Sequence, residues 1–208
     1  MCSSDLDRGD AVIAAERLDA LEVSAMPPWA AHMTMVLGDS ASVGAFPTLA
    51  RRYASLARRW HALDSAAWER ARQTTLLAAL SEARAHVDEG EVKVLELLDS
   101  VAAWVSRGSP ALERWALRAT ANALVTTTLA TQRACVRPWA IAAASHDAAS
   151  AASLAIRAVS DDDQWAAAYA LRSAALLASW AARAASQTER QAVDRIVTAW
   201  LDAVEAEL

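Results

Sequence analysis

Polar and apolar positions along this chain fall into a succession of helical stripes separated by short breaks. Residues 10–23 carry Val12, Ile13, Leu18 and Leu21 among charged positions, the pattern of an amphipathic helix. Residues 24–28 break it, residues 29–37 form a short apolar piece stopped by Gly38, and residues 39–45 read as loop. From Pro47, which suits a first helical turn, Leu49, Tyr53, Leu56, Trp60 and Leu63 step by four and three along one face. Asp64 or Ser65 then caps a helix whose face is Leu76, Leu80, Ala83 and Val87, and Asp88-Glu89-Gly90 ends it. Val94, Leu98, Val101 and Val105 carry the next helix, closed by Gly108.

The second half continues in the same way. Ser109-Pro110 opens a helix with Leu112, Ala116, Ala119 and Ala123 on one face. Its weakest part is the β-branched run Val125-Thr126-Thr127-Thr128. Pro138 starts a new helix over 138–159, with Ile141, Ser145, Ala148, Ala152 and Ala155 in step. Asp161, Asp162 and Asp163 supply a turn, a cap and favourable charge for a helix reaching about residue 185, with Tyr169, Ser173, Leu176 and Trp180 in register. Ser186-Gln187-Thr188-Glu189 is a capping box for a last helix marked by Val193, Val197, Trp200 and Val204. Short breaks between long helices imply antiparallel neighbours. The expected fold is all-α, a single compact bundle or array of about seven to eight helices with short loops.

Composition supports that reading. About a quarter of the 208 residues are alanine, and nine tryptophans stand against one phenylalanine, five glycines and five prolines. Alanine is the best helix former and permits close helix approach. The net charge is −5, so no global field draws the chain to nucleic acid or to an anionic membrane. No apolar run is long enough to span a bilayer, and a cytoplasmic protein is expected. Lys93 is the one lysine; every other base is arginine, as in a GC-rich bacterial genome. Met1-Cys2-Ser3-Ser4-Asp5-Leu6 reads as a common sequencing adapter translated from a GTG start. The expectation is therefore a metagenomic gene cut at its 5′ end, with residues 1–6 an artefact and 7–208 one domain. Cys135 is then the one native cysteine, which makes no internal disulfide.

The chain offers little overt chemistry. His32, His61, His86 and His146 are scattered, without the paired spacing of zinc or di-iron helices. No phosphate-cradling glycine loop and no Gly-x-Ser-x-Gly element occurs, so no cofactor is expected. Arg51, Arg52, Arg58 and Arg59 form a basic stripe that reads as the wet face of an amphipathic helix. Acidic residues gather at predicted helix ends: Asp88-Glu89-Glu91, Asp161-Asp162-Asp163 and Asp202-Glu205-Glu207. Helix-end charge explains them locally; an acidic surface for a basic partner is the alternative. His146 stands out because alanines surround it, which predicts a half-buried histidine with a polar partner.

Residues 140–159, followed by Ala166-Ala167-Ala168-Tyr169-Ala170-Leu171-Arg172, resemble the alanine-rich centre of the fifth class of bacterial immunity proteins that accompany polymorphic toxins. Ser145-His146-Asp147 takes the place of that family's Gly-His-Ala step, and Ala168-Tyr169-Ala170 that of its second step. Ala103-Trp104-Val105-Ser106-Arg107-Gly108 is similar to its Ala-Trp-x-x-Gly helix end. The resemblance spans roughly the C-terminal half, and Ser153 and Leu154 stand where the family tends to carry a second histidine. It implies a non-enzymatic protein that binds and blocks a cognate toxin. The partner-binding candidates are His146, Asp147 and Tyr169 within the resembling segments, and Asp161, Asp162 and Asp163 from the acidic run. A helical scaffold or regulatory domain of a larger protein, and an enzyme with a site around His146, Asp147 or Tyr169, stand beside it. Oligomeric state is not legible.

Overall fold

The computed structural model describes residues 26–27, 29–31, 33–34, 45–108, 111–134, 138–160 and 190–208. Among the described residues the protein is all-α and contains no strand. Beyond the helical residues 29–31 and 33–34, six α-helices follow one another among the described residues: α1 (Phe46–Ala57), α2 (Ser65–Ala85), α3 (Val92–Ser106), α4 (Ala111–Arg133), α5 (Trp139–Ser160) and α6 (Arg190–Ala206). A 3-10 turn (Trp60–Ala62) links α1 to α2. The helices expected over 10–23 and 164–185, and the capping box at 186–189, lie outside the described residues.

Local chemistry sets the ends of these helices. Pro47 occupies the first turn of α1. Asp64 Oδ1 accepts the Ala67 N–H at 2.7 Å and caps α2. Gly108, with φ of 79°, terminates α3 in a left-handed conformation that a side chain would strain. The Pro138 carbonyl accepts the N–H groups of Ile141 and Ala142, at 3.0 and 3.2 Å, and starts α5.

Two elements depart from their sequence pattern. The stripe ending Trp60–Leu63 suggests one long helix, yet α1 stops at Ala57. The tighter 3-10 turn delivers Trp60 into the core, where it is buried. In α4, Ala116, Ala119 and Ala123 do share a face, but it is the solvent face. The packed stripe is Ala121, Leu124, Val125 and Thr128. Alanine is small enough to sit on either side, so it gave the wrong phase. The β-branched run of α4 is fully helical. Thr126, Thr127 and Thr128 each donate a hydroxyl proton to the carbonyl four residues back, at 3.0, 2.8 and 2.7 Å.

Cross-helix bonds give the topology. Glu82 meets Arg195 and Arg70 meets Glu207, so α2 and α6 run antiparallel. Asn122 meets Ser153 and Thr128 meets His146, so α4 and α5 form an antiparallel hairpin. Arg84 bonds Asp99 and Gln73 bonds the Val105 carbonyl, which sets α2 antiparallel to α3. α2, α3 and α5 contact one another in the centre. α6 and then α1 extend from α2 on one side, and α4 covers α3 and α5 on the other.

The core has two textures. At the α1–α2–α6 end the rings of Trp29, Tyr53, Trp60, Trp68 and Trp200 stack edge to face or tilted. Their centroid separations run from 5.0 Å for Tyr53–Trp60 to 6.4 Å for Trp60–Trp200. At the other end, Ala148, Ala149, Ala152 and Ala155 of α5 are buried in close helix–helix contacts. No described helix is long and apolar enough to cross a membrane.

Candidate functional site

A cleft of about 340 Å³ opens where the start of α3 meets the α4–α5 hairpin. That volume lies at the lower end of the range of small-ligand sites. Leu124, Thr127, Thr128 and Thr131 form one wall; their spacing of three and four places them on a single face of α4. Ala142 and Ser145 of α5 close the back, and Val94 of α3 joins them as buried floor. Gly90, Glu91, Val92 and Lys93 make the opposite lip.

The two sides differ in hydrogen-bonding character. Thr127, Thr128, Thr131 and Ser145 all donate their hydroxyl protons to carbonyls of their own helices, at 2.7 to 3.0 Å. A hydroxyl has one proton and two lone pairs, so this wall turns acceptor oxygen to the cleft. The α3 lip is a donor edge. Glu91 makes no side-chain cap to α3. The N–H groups of Val92 and Lys93 precede the first helical bonds, which begin with Val94 N–H to the Glu91 carbonyl at 2.9 Å. Lys93 adds its exposed ammonium.

Among the described residues three large apolar side chains are exposed, one of them on this lip. Val92 on the lip is 55% exposed. Trp139 is 49% exposed and lies one turn before Ala142 on α5. Trp115, 65% exposed beneath the guanidinium of Arg114, sits near the opposite end of the hairpin.

His146 is half-buried on α5, with Nδ1 3.4 Å from Thr128 Oγ1. This matches the expected boundary histidine with a polar partner. Thr128 Oγ1 also lies 2.7 Å from the Leu124 carbonyl, to which it donates. His146 therefore braces the back of the cleft wall. Asp147 is half-buried beside it on α5. Asp161, Asp162, Asp163 and Tyr169 lie outside the described residues, as does Cys135.

The basic stripe and the C-terminal acidic cluster meet in the fold. Arg52 of the basic stripe binds Asp202 and Glu205 of α6, and Arg59 donates to the Leu208 carbonyl at 3.1 Å. Arg70 forks onto Glu207 at 2.7 and 3.0 Å. Most of the C-terminal acidic cluster is thus occupied by arginines of α1 and α2. Glu82, 12% exposed at its side chain, takes both the Arg195 fork and the His86 ring. Burial alone would push its carboxyl up; hydrogen bonds and charge from His86 and Arg195 override this and hold it at about 2.

Comparison with protein-family models, curated proteins and solved structures finds no match to this chain. The fold defines it as an all-α helical array with a three-helix cleft.

Proposed function

We propose that this is a non-enzymatic helical protein that acts by binding another protein in the cytoplasm, as an immunity protein that neutralises a cognate bacterial toxin. The observation that carries the reading is the α3–α4–α5 cleft with exposed Val92 on its lip, together with exposed Trp139 one turn before Ala142 on α5. A concave site with an exposed aliphatic group on its lip and an exposed aromatic further along one of its helices has the make-up of a protein-binding surface. The net charge of −5 favours a basic partner.

The hydroxyl chemistry of the cleft speaks for binding over catalysis. A serine or threonine nucleophile needs a base that takes its proton. The four hydroxyl protons of the cleft go to helix carbonyls. The test is co-expression with the toxin encoded at the same locus. Growth rescued in proportion to direct binding of the purified pair supports the proposal. A toxin left unbound and active counts against it.

A further inference from the structure

We propose that the cleft receives a peptide amide of the partner polypeptide, with its N–H toward the hydroxyl oxygens of Thr127 and Thr131 and its carbonyl toward the Lys93 ammonium. This rests on the protein-binding reading and names the group recognised. The hydroxyls have donated their protons within α4 and α5, so that wall accepts and does not donate. An anion is drawn to the α3 lip but turns its own lone pairs toward the hydroxyl oxygens and the neighbouring Glu91, so it satisfies one wall and not the other. A cation would satisfy the oxygens but faces the Lys93 ammonium and the positive end of α3. An uncharged group that donates on one side and accepts on the other satisfies both walls, and the amide is that group in a polypeptide. Leu124 and Val94 supply the apolar contact for its flanking carbons.

The test is an NMR titration of the full chain, labelled at threonine methyls, with three probes of matched apolar stem: N-methylbutanamide, butanoate and butylammonium. N-Methylbutanamide is expected to shift the Thr127, Thr128 and Thr131 methyls saturably, with a Kd on the order of tens of millimolar for so small a ligand. The two ions should bind several-fold more weakly. Lys93→Met and Thr131→Val should each weaken the amide about 2- to 12-fold, the range for one hydrogen bond. Both sites are solvent-accessible, and a melting curve unchanged from wild type confirms that each variant is folded. Preference for butanoate, preference for butylammonium, or no shift with any probe each overturns the proposal. A toxin that binds with full affinity to both variants overturns the amide inference while leaving the protein-binding reading intact. An amide that binds while the toxin does not supports the cleft's chemistry and removes that reading.

Discussion

Arg195 forks onto Glu82 across 113 residues of sequence, Nε to Oε2 at 3.0 Å and a terminal nitrogen to Oε1 at 2.5 Å. His86 approaches the same carboxylate at 2.8 Å from one turn further along α2. This cluster and the Arg70–Glu207 fork hold α6 against α2 at separate points along their length. The last helix is thereby locked over the tryptophan cluster.

The lock depends on pH in a defined direction. Glu82 titrates at about 2 in the folded protein against an ordinary value of 4.5. A depressed carboxyl stabilises the fold fully above its unfolded value, and the contribution disappears as pH falls through the folded one. Melting temperature should drop between pH 4.5 and 2 more steeply in wild type than in Glu82→Gln. Parallel curves for the two proteins would remove Glu82 as the cause.

Trp200 is fully buried and faces both Tyr53 and Trp60. Trp200→Ala should cost about 3–5 kcal/mol by chemical denaturation. The indole N–H groups of Trp60 and Trp200 are buried without an acceptor, so this cluster owes its stability to packing. A loss below 1 kcal/mol would mean that the aromatic cluster does not anchor α6.

The alanine seam should resist enlargement. Ala152 is 0% exposed. Ala152→Leu forces three more heavy atoms into a closed contact, at about 1–3 kcal/mol. For a chain of this size each kcal/mol lowers Tm by about 2–4 °C. Ala119→Leu, on the solvent face of the same hairpin, should leave Tm within about 1 °C of wild type. Equal effects at both sites would contradict the assigned phase of α4.

Gly108 tests a backbone requirement. A Cβ there meets nothing within 4 Å, so Gly108→Ala is penalised by its φ of +79° alone. The expected loss is about 1 kcal/mol, read from the urea midpoint. A stabilised variant would show that α3 does not need its left-handed terminus.

Much of the fold was legible because capped ends and large apolar residues carry positional information. Leu76, Leu80, Val101, Val197 and Trp200 each fell on the buried face that their spacing indicated. The phase of α4 was not legible, because Ala116, Ala119 and Ala123 are as acceptable to water as to a neighbouring helix. The cleft was still less so, since α3, α4 and α5 each contribute only part of it. Two traces did exist in the sequence. Lys93 is the one lysine of the chain, and residues 119–132 carry no charge at all. An uncharged stretch on a helix covered from one side marks a surface with something to contact. His146 was singled out correctly as a half-buried histidine, but the cleft wall it supports is formed by Thr128, which periodicity marked only as a weak helical segment.

The binding site is tested most directly by calorimetric titration of the proposed toxin partner into three proteins: wild type, Thr127→Trp and Thr120→Trp. Both threonines are exposed on α4, but only Thr127 lines the cleft. The account predicts that Thr127→Trp weakens binding at least about tenfold, a loss of about 1.4 kcal/mol, while Thr120→Trp binds as wild type does. Undiminished binding by Thr127→Trp would contradict it.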